Sequence, residues 1–101
     1  MVTETLGRFE WDSEKNSINI KKHGIDFVEI VSIFDDPYFY ETYDISHSVE
    51  EERFIGIGTV DGLLVIVTCY TERDKIRLIS ARKATKGEKE VYYEARKSIN
   101  G

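Results

Sequence analysis

The chain is poor in most of the residues that mark recognisable chemistry. It has one cysteine, Cys69, among 101 residues. No disulfide can form within it, and a thiol in an apolar strand-like run reads as a small buried hydrophobe rather than a nucleophile. One proline, Pro37, and seven glycines leave no linker, repeat or low-complexity tract. The longest apolar run is LLVIV at 63–67, far short of the ~20 residues a spanning helix needs, so no membrane is expected. The opening MVTETLGRFEW lacks a basic stretch followed by an apolar one, so no secretory signal is expected and the cytoplasm is the expected location. The two histidines, His23 and His47, lie 24 residues apart, with no paired cysteines and no HExxH spacing. No metal site and no cofactor are expected. A GxGxxG loop, a phosphate loop and a GxSxG elbow are missing too. Gly56 and Gly58 sit inside a strand-like segment, where glycine marks a bend or a close approach of backbone.

What is present is charge, unevenly spread. Residues 69–101 hold nine Lys/Arg against five Asp/Glu, net +4, while residues 1–68 hold five against fourteen, net −9. The total of −5 argues against a polyanionic partner, but a short anionic ligand responds to the local potential. The asymmetry predicts a basic face on an acidic body.

Length predicts a single domain over residues 1–101. RFEW (8–11) reads as a first strand closed by Asp12 as N-cap. Residues 13–23 form a helix that stops at KKHG, with cations in the last turn and Gly24 after it. Asp26 starts a second helix with Glu29 in the capping-box position, and Phe27, Ile30, Val31 and Phe34 form its core stripe. After DDP (35–37), an aromatic strand runs into an acidic loop (38–52). RFIGIGTV, the turn DG and LLVIVTCY (53–70) form a hairpin. The second of these strands is apolar on both faces and therefore central. A further strand, KIRLISARKAT (75–85), alternates Ile76, Leu78 and Ser80 against Arg77, Ile79 and Ala81. Thr85 and Glu88 make a second capping box, and the last helix presents Val91, Tyr92, Ala95 and Ile99. The expected fold is α+β: a small antiparallel sheet, two N-terminal helices and one C-terminal helix.

The remaining chemistry lies in cations and tyrosines. Lys21, Lys22 and His23 end the first helix; Arg53 starts one strand; Arg73, Arg77, Arg82 and Lys83 lie on and around another. Tyr38, Tyr43 and Tyr70 lie near strand ends, where rings stack on unpaired bases. Guanidinium groups bind phosphate oxygens in pairs. With RNA as ligand, the 2′-hydroxyl itself attacks phosphorus, and the protein supplies a base, an acid and positive charge. Plainer roles fit the same residues. KKHG also suits a helix end complementing the dipole, and Arg77 also suits a cross-strand pair with a carboxylate such as Glu52. Arg82, Lys83 and the EEE run at 50–52 also suit solvated surface, and the tyrosines also suit rim packing.

The segments FEWDSEKNSINIKKHGIDFVEIVSIFDDP (9–37), DISHSVEEERFIGIG (44–58) and VTCYTERDKIRLISARKATKGEKEVYYE (67–94), in this order and spacing, resemble the BrnT family of toxins from type II toxin–antitoxin pairs. The likeness spans about residues 8–97. It implies a RelE/ParE-like fold and an endoribonuclease that cleaves RNA without metal and arrests translation. It implies a BrnA-like antitoxin of ribbon-helix-helix type, with promoter DNA bound only through that antitoxin. On this resemblance the catalytic set is Lys22, His23, Arg53, Arg77 and Arg82, with Arg73, Lys83, Tyr70 and His47 binding substrate and His47 competing with His23 for the proton transfer. Alternatives are a non-catalytic toxin that binds a protein, as ParE-like toxins bind gyrase, and an inactive antitoxin-binding module. The nuclease expectation requires the guanidinium groups to converge on one hollow without each being held by its own carboxylate.

Overall fold

A computed structural model of the chain describes residues 2–49 and 51–100, the side chains of residues 99 and 100 apart. Glu50 and the Ile99 side chain therefore lie outside the described residues. The strands are β1 (Thr3–Leu6), β2 (Phe9–Asp12), β3 (Tyr40–Tyr43), β4 (Phe54–Val60), β5 (Leu64–Glu72) and β6 (Ile76–Lys83), and the helices are α1 (Ser13–His23), α2 (Phe27–Ile30) and α3 (Lys86–Asn100). Short 3-10 turns cover Val31–Asp35 and Ile45–His47.

The α+β class stands as expected and there are three helices, but their layout differs from the expected one, with α2 a single turn, and the sheet is larger and mixed. Its order is β1-β2-β6-β5-β4-β3, and β2 runs parallel to β6 while the other neighbours are antiparallel. The extra strand, β1, is exposed along its whole length and so has no apolar alternation to betray it. It is held by its ladder to β2, through a turn in which Gly7 takes φ 58°. The β4–β5 hairpin turns on Asp61 and Gly62, at φ 54° and 72°, the pair of left-handed residues that a type I′ turn requires.

Helix boundaries follow the caps. Asp12 accepts the Glu14 N–H at 2.9 Å, and Gly24, at φ 69°, closes α1 by donating to the Ile20 carbonyl at 2.7 Å. Asp26 and Glu29 form the capping box that starts α2. α2 is only one turn long before it tightens into the 3-10 segment. Its fully buried residues accordingly fall every third position, at Phe27, Ile30 and Ile33, and Val31 and Phe34 are only partly buried. Thr85 and Glu88 exchange the two bonds of a capping box at the start of α3.

The two sheet faces are covered unequally. On one, Phe9, Trp11, Ile66, Tyr70, Leu78 and Ala81 pack against Ile25, Phe27, Ile30 and Ile33. On the other, Ile57, Val65 and Val67 pack under Tyr92 of α3, so β5 is apolar on both faces as a central strand should be. β2 accompanies β6 only from Ile76 to Leu78. Further along, Asn19 of α1 takes the place of a strand: the Ala81 N–H donates to its Oδ1 at 3.1 Å, and its Nδ2 donates to the Ala81 carbonyl at 2.9 Å. That closes an edge otherwise open to mispairing.

Strict alternation along β6 fails at one point. Cys69 pairs with Ser80 but Tyr70 pairs with Leu78, leaving Ile79 as the extra residue of a β-bulge. Leu78 and Ala81 both turn to the first face, and Arg77, Ser80 and Arg82 turn to the second. Arg77 and Arg82 are five positions apart and would face opposite ways in a regular strand. The bulge brings them to one side.

Candidate functional site

The second sheet face is open where α3 ends its cover. By register, Arg77 of β6 lies between Glu10 of β2 and Thr71 of β5, and Arg82 lies beside Val67, beyond the intervening Cys69–Ser80 pair and nearer α3. Arg53 enters this face just before β4. The Thr71 hydroxyl draws that segment in by donating to the Glu52 carbonyl at 2.8 Å.

Above the open face sits the DISHS loop, built by its own polar side chains. The Ser48 hydroxyl donates to the Asp44 carbonyl at 2.6 Å and accepts the Arg53 N–H at 2.9 Å, and the Asp44 N–H donates to the Arg53 carbonyl at 2.8 Å. Asp44 is 7% exposed. Its carboxylate accepts from the Ser46 hydroxyl at 3.0 Å and from His47 Nδ1 at 3.0 Å. Burial pushes the Asp44 carboxyl up, but the bonds from His47 and Ser46 outweigh it and hold the group below its ordinary value. An ionised Asp44 can only accept, which fixes the proton of His47 on Nδ1. Nε2 is then the free basic atom, without a hydrogen-bond partner among the described residues, on a side chain 65% exposed.

His47 and Arg53 line two adjoining hollows. One of about 270 Å³ is lined also by Ile55, Cys69, Ile79, Ser80 and Arg82. The other, of about 590 Å³, is lined also by Ser46, Val49, Glu51 and Arg73. Among the described residues, no three His, Cys, Asp or Glu side chains gather as metal ligands would.

The arginines share a face but do not stand free. Arg77 donates to Glu10, both about one-fifth exposed. Its partner is thus the parallel neighbour on β2 and not Glu52. Arg82 donates through both terminal nitrogens to Glu88, at 2.6 and 2.7 Å. Its bond is the main cause that holds Glu88 at about 2, against the opposing effect of burial. Arg73 donates to Glu51 at 2.7 Å. Arg53 is the loosest, 3.7 Å from Glu51, and its enclosed Nε has no hydrogen-bond partner among the described residues. The expected cluster of unpaired guanidinium groups is therefore not found. A carboxylate lies beside each one: Glu10 on the neighbouring strand β2, Glu51 in the loop before β4, and Glu88 in the first turn of α3.

Other candidates are dispersed. Lys22 and His23 end α1, beside the edge of β6, and neither lines the two hollows. Lys83 follows Arg82 directly and pairs with Ile66, so it faces the opposite side of the sheet. Tyr70 is fully buried among Phe34, Phe39 and Phe54 and its hydroxyl donates to Glu41. No base can stack on it. Tyr43 packs edge-on against Phe54, and Tyr38 lies under the Arg96 guanidinium at 4.8 Å. Asp44 was missed in the sequence, although an Asp three residues before a His, in DISH, was the available signal.

The family model described as "Ribonuclease toxin, BrnT, of type II toxin-antitoxin system" matches residues 11–88, more than half of the chain. The chain belongs to the BrnT family. Among solved structures, the 1.1 Å crystal structure of the Brucella abortus ribonuclease toxin, BrnT, is 26% identical with a TM-score of 0.57, covering 75% of this chain and 94% of that one. No curated protein matches. The chain is thus a member of a family of ribonuclease toxins of type II toxin–antitoxin systems, and membership implies an antitoxin partner and an RNA target. The BrnT match contains Asp44, His47, Arg53, Arg77 and Arg82, with Glu10 just outside it.

Proposed function

We propose that the chain is a metal-independent endoribonuclease in which the Asp44–His47 pair moves the proton and Arg53 carries the charge nearest the phosphate. One observation carries this reading: Asp44 holds His47 by Nδ1, leaving Nε2 unbonded among the described residues, and His47 and Arg53 together line two hollows. His47 Nε2 takes the proton from the RNA 2′-hydroxyl, and the 2′-oxygen attacks the adjacent phosphorus. The bond from phosphorus to the 5′-oxygen breaks, and that oxygen takes a proton from solvent. The products are a 2′,3′-cyclic phosphate and a 5′-hydroxyl. Arg53 meets the charge that builds on the phosphate oxygens. Arg82 and Arg77, held by Glu88 and Glu10, set the potential of the surrounding face. Lys22, His23, Lys83 and Tyr70 have no part in the chemistry.

The same reading gives the toxin a BrnA-like antitoxin of ribbon-helix-helix type, promoter DNA bound only through it, RelE/ParE-type kinship for the scaffold and a cytoplasmic site of action. Purified protein incubated with RNA and EDTA is the test. Cleavage that persists, ends in cyclic phosphate and is lost in His47→Gln is expected. Cleavage abolished by EDTA contradicts the metal-free chemistry, and full activity in His47→Gln removes the pair from it. A second reading, a toxin that arrests growth by binding a protein, draws on the carboxylate beside every arginine of the face. Growth arrest without RNA cleavage would favour it.

A further inference from the structure

The open sheet face has an apolar floor that proton transfer does not use. The bulge at Ile79 turns both it and Ser80 toward Arg82. With Ile55 and Cys69, Ile79 floors the smaller hollow, and all three side chains are only partly buried. Aliphatic surface left open between two guanidinium groups is costly to hydrate, and α3 stops short of covering it. Across the His47–Arg53 ridge, by contrast, the larger hollow is bordered by Ser46, Glu51 and Arg73. The smaller hollow has polar walls too, Asp44, Ser80, Arg82 and Glu88, but its aliphatic floor suits a flat, weakly hydrated group with polar edges, whereas the larger one suits a polar, charged group. The apolar hollow, at about 270 Å³, is of a size for a single nucleoside rather than a peptide segment.

We infer that the smaller hollow is a nucleobase subsite, which seats one of the two bases flanking the scissile phosphate on Ile55, Cys69 and Ile79. The inference rests on the ribonuclease reading above and adds to it where the substrate lies. The base sits on aliphatic side chains and is flanked by the Arg53 and Arg82 guanidinium planes, a surface that RNA bases use in the absence of aromatic rings. The ribose-phosphate chain then passes over the His47–Arg53 ridge into the polar hollow.

The experiment uses the whole protein and a short RNA with one mapped cleavage site. The base on each side of the cut is replaced in turn by an abasic residue, and a second set carries a 2′-deoxy sugar at the cut to prevent cleavage. The expected result is a loss of at least tenfold in kcat/KM for one abasic position. Ile79→Trp, which fills the hollow, is expected to slow cleavage of the parent RNA without slowing the abasic RNA further. The uncleavable RNA is expected to slow alkylation of Cys69, the chain's one cysteine, at least threefold, and its abasic counterpart is expected to leave it unchanged. Abasic changes without effect on cleavage, together with unaltered Cys69 alkylation, overturn the subsite while the nuclease stands. Protection of Cys69 without cleavage of any RNA supports the subsite and overturns the catalytic reading instead.

Discussion

Replacing Glu88 by glutamine removes one negative charge from the clasp between β6 and α3 while keeping its shape. Glu88 receives both terminal nitrogens of Arg82 and also the Thr85 N–H at 2.8 Å. The Arg82 bond is the first cause of its low value, about 2 against 4.5. That difference corresponds to about 3 kcal/mol if the whole of it is expressed as stability. The Glu88 side chain is 28% exposed and that of Arg82 41%, so screening by water reduces the figure to about 1–2 kcal/mol. A carboxyl lowered on folding stabilises fully above its unfolded value and loses that contribution as pH falls toward its folded one. Urea unfolding of the two proteins should differ by about 1–2 kcal/mol from pH 7 down to about pH 5, and the gap should close toward pH 2–3. A gap absent at neutral pH, or one that acid does not close, refutes the reasoning. RNA cleavage separates the roles of Arg82. If its charge serves the substrate, Glu88→Gln keeps cleavage and Arg82→Ala loses about tenfold or more. Equal losses that track stability in both variants leave Arg82 as a tether only.

Three further outcomes are expected. His47→Gln should lower RNA cleavage by about a hundredfold or more with little change in thermal midpoint, and His23→Gln should leave the rate within about twofold; kinetics on both variants checks this. Glu10→Leu leaves the Arg77 guanidinium without its partner at a site where both side chains are about one-fifth exposed. It should cost about 3 kcal/mol in urea unfolding, most of it regained by adding Arg77→Met; strictly additive losses would contradict a coupled pair. In Gly56→Ala the new Cβ overlaps the Phe39 ring and meets Tyr70 Cε1 at 2.9 Å. The variant should lose about 1–3 kcal/mol, and an unchanged midpoint would mean that Phe39 moves aside freely.

The elements were legible where a local rule decides them. Asp12, Gly24, Asp26 and the Thr85–Glu88 pair each act through their own neighbours in sequence, and each is found capping as read. Asp61–Gly62 was legible for the same reason, since the tight turn between β4 and β5 takes left-handed backbone at both positions and these residues provide it. β1 was not legible, because a strand exposed on all four residues carries no apolar period and exists through its partner. Nor was the parallel pairing of β2 with β6, which joins residues some 67 positions apart, Glu10 and Arg77 among them. No local pattern records such a pairing.

The site divides along the same line, and the bulge shows why. Alternation along KIRLISARK assigns Arg77 and Arg82 to opposite faces, and only an extra residue in register brings them together. A bulge is set by the fit of β5 against β6, not by any residue of β6 alone. The carboxylate partners are equally nonlocal for Arg77, which reaches Glu10 on the neighbouring strand, and for Arg73, which reaches Glu51 in the loop before β4. The Asp44–His47 pair is the exception. It is made across the 3-10 turn that Asp44 precedes, and its spacing is written in four consecutive residues, although the loop as a whole is anchored to Arg53. A proton-transfer group of local construction beside a charge field of nonlocal construction has a consequence for variants. Changes in β2, β5 or β6 should weaken substrate attraction in graded steps, whereas changes in DISH should remove turnover outright.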